Sequence, residues 1–306
     1  MIEIKQLCFS YPNRTAPALR HINLTIPQGS LFGLLGPNGA GKSTLLNILS
    51  GLHPYTDGSI VINNTELTAL HQQKKPFCAL IPQELAFYPT LTARENLAFF
   101  AATLGMPPNT AKKDIDRCLE LTCLSHHADK QAATFSGGLK RRLNIAIGLL
   151  NSPSLVFLDE PTVGIDAQSR HFILQSIRDI NASGTTIIYT SHYMEEVENL
   201  CDRIAILDHG EILLAGELQT ILSHTHKLTV SIHQALSDQQ LLSLQKNNLQ
   251  VEARQKTLII DIQRQEDITF ILSMLDQWQI SIDRISYGAQ DLEQLFLDLT
   301  DRRLRD

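Results

Sequence analysis

The stretch Gly36-Pro37-Asn38-Gly39-Ala40-Gly41-Lys42-Ser43-Thr44 decides the fold of this chain. It matches the pattern G-x-x-x-x-G-K-[ST] at every position. The apolar run 31–35 before it is short enough for a buried strand, and residues 45–49 after it suit a helix that ends before Gly51. The stretch therefore lies at a turn from a strand to a helix.

The residue types in this stretch suit a phosphate group. Glycines at positions 36, 39 and 41 let the backbone approach an anion, so that N–H groups and the helix N-terminus point at phosphate oxygens. Lys42 adds a positive charge for the outer phosphates, and Ser43 offers a hydroxyl to the Mg²⁺ that accompanies a nucleotide. We therefore predict a nucleotide-binding P-loop, not a glycine-rich turn without a ligand.

Composition and charge narrow the class of protein. The chain has 306 residues, enough for two domains, and its 43% hydrophobic and 19% charged residues are typical of a globular protein. A net charge of -6 gives no basic field for nucleic acid, so no nucleic-acid partner is expected. No apolar run approaches the ~20 residues of a membrane helix, and the N-terminus lacks a signal-peptide core. We expect a soluble protein, and any membrane role must come through a partner.

The five cysteines are scattered along the chain at positions 8, 78, 118, 123 and 201. Their number is odd and they lack C-x-x-C spacing, which disfavours disulfide and zinc frameworks and favours a reducing compartment. We predict that they are small core residues.

Two later strands end in side chains that suit the same phosphate site. The apolar run 155–158 is followed by Asp159 and Glu160, where open α/β sheets place their ligands. Asp159 is placed for Mg²⁺, and Glu160 is placed to take a proton from an attacking water. The strand 186–190 is followed by His192, which local sequence allows as a structural residue or as a contact for a γ-phosphate.

Residues 92–152 form a mostly helical region by their pattern. The segment 92–95 has the spacing of a capping box, and a second helix is predicted over 111–124. A third helix begins after Ser136, an N-cap candidate, although glycines 137 and 138 in its first turn weaken a helix by up to ~1 kcal/mol each. That glycine-rich start suits an anion. The basic residues 140–142 favour the same anion or form a solvated cluster.

The local sequence allows two roles for each of two further residues, Tyr11 and Gln83. Tyr11 ends the first strand, where its ring either stacks on an adenine base or covers the core. Gln83 follows the strand 78–81, where its amide either reaches a metal or water or is an ordinary polar loop residue. The short strands 60–62 after a turn at 57–59, and a hairpin around His209, complete the pattern of this part of the chain.

The pattern changes after about residue 225. Strands are predicted at 228–232, 249–253, 257–262 and 280–285, with helices at 238–245, 267–278 and 290–299. The order β-α-β-β-α-β predicts a small ferredoxin-like α+β domain over residues 226–306. This segment has no catalytic or metal-binding cluster in its sequence, so we predict a role in interaction or regulation.

Residues 1–225 resemble the ATP-binding subunit of ABC transporters, because the motifs of that family occur in order. The resemblance places the family's A-loop, Walker A, Q-loop, signature, Walker B, catalytic glutamate and switch histidine at Tyr11, residues 36–44, Gln83, Ser136-Gly137-Gly138, residues 155–159, Glu160 and His192. It implies an α/β P-loop NTPase cassette with a helical subdomain at about 92–152.

The resemblance also implies partners and ligands. Two subunits, copies of this chain or homologues, would meet head to tail, with each ATP between the P-loop of one and Ser136-Gly137-Gly138 of the other. It assigns catalytic roles to Glu160, His192 and Gln83, and Mg²⁺ to Ser43, Gln83 and Asp159. Hydrolysis would move a membrane permease, for which the apolar segment 84–89 is the candidate docking site. Through this permease the chain would lie in the cytoplasm, on the inner face of the cell membrane.

Two motifs depart from the family pattern, and two segments point to a subgroup. The signature has Leu139 where the family commonly has glutamine, and the D-loop 163–166 reads Val-Gly-Ile-Asp. The segments 160–166 and 291–297 resemble those of the exporters of drugs, antibiotics, polysaccharides or lipids, whose permease is a separate chain.

Three alternative functions compete with that of a transporter subunit that drives export. A soluble ABC ATPase that acts on ribosomes or nucleic acid is disfavoured, because this chain has one cassette and no basic arm. A P-loop kinase is disfavoured because it would not need Ser136-Gly137-Gly138. An importer subunit is the other alternative.

Overall fold

The computed structural model describes residues 1–12, 16–73, 77–223, 226–245, 250–254, 256–262, 265–289 and 292–301. The chain divides into two compact units, Met1–Glu217 and Leu218–Asp306. The change of pattern at about residue 225 marks the first strand of the second unit. The unit itself begins earlier, with the short helix Leu218–Ser223.

The first unit contains strands β1 to β10 and helices α1 to α7. In chain order they are β1 (Ile2–Phe9), β2 (Leu19–Ile26), β3 (Leu31–Leu35), α1 (Lys42–Leu49), β4 (Asp57–Ile62), β5 (Thr65–Glu66), α2 (Leu67–Gln72), β6 (Ala79–Ile81), α3 (Ala93–Thr103), α4 (Pro108–Leu121), α5 (Gly137–Gly148), β7 (Leu155–Asp159), α6 (Ala167–Ala182), β8 (Thr186–Ser191), α7 (Met194–Leu200), β9 (Arg203–Asp208) and β10 (Glu211–Glu217).

The central sheet of this unit has the strand order β10-β9-β3-β8-β7-β6. Its strands pair in parallel except β10, which forms the predicted hairpin with β9. All residues of β3 and β8 are buried, as expected for continuous apolar strands covered on both faces. Because β3, β7 and β8 run in the same direction, the segments that follow them start at one edge of the sheet.

A second, antiparallel sheet has the order β2-β1-β4-β5. The sequence predicted a turn at 57–59, but β4 already begins at Asp57. Gly58 adopts a φ of 90°, and the register of β1 against β4 shifts between Lys5 and Cys8. Two residues of β1 therefore stand opposite Gly58, an irregularity of the bulge type, and β4 begins earlier than its turn-like sequence indicated.

The helical region follows the predicted caps and differs in one helix. The Thr92 hydroxyl accepts from the Glu95 amide and the Glu95 carboxylate accepts from the Thr92 amide, which confirms the capping box. Ser136 caps α5, as predicted. The helix predicted over 111–124 is α4, which begins at Pro108, because proline suits a first helical turn. It ends before Cys123, which adopts a left-handed φ of 53°.

The second unit has the predicted order β-α-β-β-α-β among its described residues. After α8 (Leu218–Ser223) come β11 (His226–Ile232), α9 (Asp238–Gln245), β12 (Gln250–Arg254), β13 (Thr257–Asp261), α10 (Gln265–Gln277), β14 (Ile282–Ala289) and α11 (Leu292–Asp301). Its sheet has the order β12-β13-β11-β14 and is antiparallel throughout. Leu249 and Gln290, which began two predicted elements, lie outside the described residues.

The cysteines are more varied than predicted. Cys118 and Cys201 are buried, and burial raises the pKa of the Cys118 thiol to about 12. Cys8 and Cys78 are half-buried, and all five thiols are free. Cys123 is exposed, because it lies in the left-handed turn after α4, so the prediction of a core position is wrong for this residue.

Candidate functional site

The P-loop connects the end of β3 to the first residue of α1. Gly39 and Gly41 have φ angles of 85° and 111°, a conformation that residues with a side chain rarely adopt. At Gly36 a Cβ atom would stand 2.2 Å from the backbone oxygen of Leu207 on the neighbouring strand β9. The three glycines are therefore required by the backbone and its packing as well as by an anion.

A cavity of about 670 Å³ lies beside the P-loop, a volume typical of small-molecule sites. It brings most of the P-loop together with four of the predicted site residues from other segments. Of the predicted site residues, its lining includes Tyr11, Pro37, Asn38, Gly39, Gly41, Lys42, Ser43, Thr44, Gln83, Glu160 and His192. Gly36, Ala40 and Asp159 belong to the same segments but do not contribute to the lining, and neither do Ser136, Gly137 and Gly138.

The ammonium group of Lys42 lies at the centre of a buried polar contact. Its Nζ donates to the backbone oxygens of Gly36 and Pro37, at 2.7 and 3.3 Å. It also lies 3.4 Å from Oε1 of Glu160, and both side chains are about nine-tenths buried. The other carboxylate oxygen of Glu160 is 3.2 Å from Nδ1 of His192. Glu160 thus connects the P-loop lysine to the histidine that follows β8.

Thr190 orients both acidic residues at the end of β7. Its hydroxyl donates to Oδ1 of Asp159 at 2.8 Å and accepts from the backbone N–H of Glu160 at 2.9 Å. Thr190 is fully buried and lies directly opposite Asp159 in the sheet. The sequence analysis treated Thr190 only as a strand residue, because its role depends on the pairing of two strands.

The oxygen donors at this edge suit a magnesium ion that arrives with a nucleotide. The Ser43 hydroxyl, the Gln83 amide oxygen and the Asp159 carboxylate are hard ligands of the kind that Mg²⁺ binds. Asp159 is already held by Thr190. Within the described ranges no group of three His, Cys, Asp or Glu residues could hold a metal ion by itself. The donors present therefore fit an ion that takes its remaining ligands from phosphate and water.

Tyr11 combines the two interpretations that its sequence position allowed. Its ring is half-buried and makes edge contacts with Phe9 and His53, with centroids 5.0 and 5.6 Å apart. Its hydroxyl lies 3.0 Å from Oγ1 of Thr44. The ring therefore packs against neighbours and also lines the cavity.

Two residues that the sequence analysis did not single out also line the cavity. They are Arg20 of β2 and His209 of the β9–β10 turn. The backbone N–H of Arg20 donates to the oxygen of Gly210 at 2.7 Å, which brings this strand against the turn. No local motif marks either residue, since only the packing of the two sheets places them there.

Two of the basic residues 140–142, Arg141 and Arg142, contact protein groups and do not belong to a solvated cluster. Arg141 is buried and donates to the backbone oxygen of Pro82 at 3.1 Å, and burial lowers the pKa of its guanidinium. The guanidinium of Arg142 lies 5.4 Å from the centre of the Phe172 ring. Both side chains lie along α5 toward protein groups, so packing decides their position.

Helix α5 holds the loop that contains Gln83. Arg141 and Asn144 both donate to the oxygen of Pro82, and Asn144 accepts from the backbone N–H of Ala86 at 2.9 Å. Beside this loop is an apolar groove of about 300 Å³. We call it the α5 groove; its lining includes Pro82, Ala86, Phe100, Leu104, Asn144 and Ile147. Leu85 and Tyr88, next to it in the chain, are 44% and 47% exposed.

The start of α5 packs tightly on the start of α6. Asp166 accepts from the backbone N–H of Ser169, which caps α6 and lowers the pKa of Asp166. A Cβ atom at Gly138 would stand 2.1 Å from Oγ of Ser169, whereas at Gly137 it would meet only Cδ1 of Ile165 at 3.9 Å. The two neighbouring glycines therefore have different structural roles.

We expect Gly138→Ala to lower the free energy of unfolding of the first unit by about 1–3 kcal/mol, as overpacking of an interior does. Gly137→Ala is the matched control; we expect it to be neutral or to stabilise the helix by up to ~1 kcal/mol. Urea unfolding followed by helical circular dichroism measures both. Equal effects of the two substitutions would contradict the close contact with Ser169.

The fold and the site define a class of protein. A P-loop between a parallel strand and a helix, with an aspartate and a glutamate at the end of a second parallel strand, is the arrangement of P-loop NTPases. The comparisons then identify the family. The family model described as ABC transporter matches residues 19–163.

Similar proteins match the whole chain. It is 40% identical to the linearmycin resistance ATP-binding protein LnrL of Bacillus subtilis (strain 168), over 100% of both chains. It is 32% identical to the Nod factor export ATP-binding protein I of Ralstonia nicotianae, over 93% of this chain and 89% of that protein. The chain belongs to the ABC transporter family as an ATP-binding subunit, and it is an ATPase.

Solved structures match 71% to 72% of the chain. A dimeric ATP-binding cassette in a post-hydrolysis state, bound to ADP and Pi, has a TM-score of 0.64 at 27% identity, covering 71% of this chain and 99% of that one. The protein cbiO1 of Clostridium perfringens, part of the ABC transporter complex cbiONQ, has a TM-score of 0.66 at 26% identity, over 72% and 89%. The predicted P-loop NTPase cassette is confirmed.

Proposed function

We propose that this ATPase drives export through a separate membrane permease, by ATP-driven closing and hydrolysis-driven reopening of a head-to-tail dimer. One observation carries the link from ATP to transport. The loop around Gln83 borders two cavities, because Gln83 lines the nucleotide cavity while Pro82 and Ala86 line the α5 groove. A change at the phosphates can therefore reach a docking groove through a single loop.

The names of two relatives support export as the direction of transport. The protein of Bacillus subtilis is named for linearmycin resistance, and that of Ralstonia nicotianae for Nod factor export. Both matches include the second unit of this chain, beyond the cassette. No described helix of this chain is long and apolar enough to cross a membrane. We propose that another polypeptide supplies the membrane path, as the resemblance to the exporter subgroup implies.

The residues of the cavity have distinct roles in the proposed reaction. The P-loop N–H groups and Lys42 bind the phosphates, and the Tyr11 ring packs against the base. Glu160 takes a proton from the attacking water, and His192, 3.2 Å from its carboxylate, contacts the γ-phosphate. Bound Mg²⁺ would neutralise phosphate charge, held by Ser43, Gln83 and Asp159. In a head-to-tail dimer Ser136, Gly137 and Gly138 supply N–H groups to the partner's ATP.

Co-purification tests the permease directly. Tagged Glu160→Gln, purified from solubilised membranes with ATP and Mg²⁺, is expected to carry a polytopic membrane protein that mass spectrometry identifies. The Lys42→Ala protein, which should not bind ATP, is the control for nucleotide dependence. Recovery of ribosomal proteins or nucleic acid instead would contradict transport and point to a soluble ABC ATPase.

We expect Leu85→Glu to abolish this co-purification while the isolated chain keeps its ATPase activity. A charge at a 44% exposed leucine beside the α5 groove would have to be buried by any apolar partner. Leu52→Glu, at a 65% exposed leucine of the same unit, is the matched control and should retain the partner. Retention of the permease by Leu85→Glu would exclude this docking site.

A further inference from the structure

A buried carboxylate on α7 accepts three hydroxyl groups. Glu196 is 5% exposed, and its Oε2 atom accepts from Oγ1 of Thr162 at 2.7 Å, from the Tyr189 hydroxyl at 2.5 Å and from Oγ of Ser191 at 3.2 Å. We call these four residues the Glu196 cluster. Burial, with Glu196 beside it, raises the pKa of Tyr189, so this phenol keeps the proton that it donates.

Two donors of the Glu196 cluster lie next to the residues that carry the chemistry. Thr162 is two residues after Glu160 and directly precedes the D-loop 163–166, and Ser191 directly precedes His192. The two segments are separated in the chain, and one carboxylate oxygen holds both. Glu196 therefore joins the segment that follows Glu160 to the segment that precedes His192.

The same carboxylate is connected to α6, the helix that follows the D-loop. Nε of Arg170 lies 3.3 Å from Oε1 of Glu196, and its guanidinium lies 5.0 Å from the centre of the Tyr193 ring. The backbone N–H of Tyr193 donates to Oγ of Ser191 at 2.9 Å. A displacement of the start of α6 thus reaches the segment of His192 through side chains that are already in contact.

We propose that Glu196 is a positioning residue for ATP hydrolysis, which holds the D-loop and the His192 segment in one geometry. It touches neither the nucleotide cavity nor the reacting atoms, and it acts through Thr162 and Ser191 on Glu160 and His192. The inference rests on the proposed roles of Glu160 and His192. An ordinary buried polar cluster would stabilise the unit without changing turnover, which is the competing explanation.

The test removes one donor at a time and separates turnover from stability. We expect Thr162→Val and Ser191→Ala each to lower kcat about tenfold or more, with KM for ATP within about twofold, because misplaced groups act on the chemical step. Thr122→Val is the matched control: Thr122 is equally buried, its hydroxyl donates to the Cys118 oxygen at 2.8 Å, and it lies outside the site. It should lower the midpoint of thermal unfolding and leave kcat unchanged.

A double substitution shows whether one carboxylate mediates both effects. Because both donors act through Glu196, Thr162→Val/Ser191→Ala should be no slower than the slower single variant, instead of showing the product of two losses. Glu196→Gln keeps an acceptor oxygen and the side-chain shape, so it should retain more activity than Glu196→Ala. A double variant whose loss of kcat equals the product of the two single losses would overturn the proposal. Variants that lose stability while kcat is unchanged would also overturn it.

The same series distinguishes this inference from the proposed function. Glu160→Gln, measured in parallel, should lose turnover whether or not Glu196 positions it. Loss of activity in Glu160→Gln together with normal kcat in Thr162→Val and Ser191→Ala rejects only the inference. Normal turnover in Glu160→Gln would reject the role of Glu160 itself.

Discussion

Glu160→Gln is expected to retain ATP binding and to lower ATP turnover by ~10²-fold or more, the contribution of a general base. The amide has nearly the shape of the carboxylate but cannot take a proton from water. It also loses the charge that faces Lys42 at 3.4 Å, which leaves the lysine free to pair with phosphate. Steady-state ATPase rates, with nucleotide binding measured on the same protein, check both parts.

Glu195→Gln is the matched control for this substitution. Glu195 is exposed on α7, and the same change of charge there should leave the ATPase rate unchanged. Normal turnover in Glu160→Gln would remove Glu160 from the mechanism. Loss of ATP binding in Glu160→Gln would mean that the buried pair with Lys42 supports the P-loop itself.

Lys42→Ala is expected to abolish nucleotide binding. The substitution removes the cation beside the P-loop carbonyls and leaves the buried Glu160 carboxylate without its ion-pair partner. Truncating one member of a buried pair is costly, and the remaining negative charge would also repel phosphate. Isothermal titration with ATP measures the loss, and Lys113→Ala, at an exposed lysine of α4, should bind normally.

A double variant separates the two causes of that loss. The double variant Lys42→Ala/Glu160→Gln lacks the carboxylate that would repel phosphate, and it also lacks the ammonium group of Lys42. If the double variant stays unable to bind ATP, the lysine itself binds the phosphates. If the double variant regains affinity for ATP, repulsion by Glu160 accounts for the loss of binding in Lys42→Ala. Unchanged ATP affinity in Lys42→Ala alone would contradict the P-loop assignment.

The sequence predicted well the features whose cause is local. The P-loop is predicted as strand, turn and helix because its glycines and lysine lie close together, within residues 36–42. The caps at Thr92 and Ser136 likewise involve residues only three positions apart. The order of elements in the second unit follows from alternation and turns. The turn predicted at 57–59 is part of a strand in the structure. Asp-Gly-Ser is typical of a turn on local grounds, whereas pairing with β1 makes Gly58 part of β4.

The residues that the sequence missed act through contacts between distant segments. Thr190 and Asp159 are 31 positions apart, and Arg141 and Pro82 are 59 apart. Buried polar groups are hydrogen-bonded, but the sequence does not show which distant residue is the partner of a given hydroxyl or guanidinium. The charge of Arg141 favoured an anion or water on local grounds, and only the packing of α5 against the loop of Gln83 reveals its backbone partner.

In the proposed dimer, helix α5 would connect the two nucleotide sites. Its first turn carries Gly137 and Gly138, proposed to contact the partner's ATP. Arg141 and Asn144, one and nearly two turns later, hold the loop of Gln83 beside this chain's own nucleotide cavity. A helix moves as one body, so a tilt at its start shifts that loop. In the proposed dimer neither nucleotide could be bound or released without the opposite site sensing it, and the two ATP molecules would act as a cooperative pair.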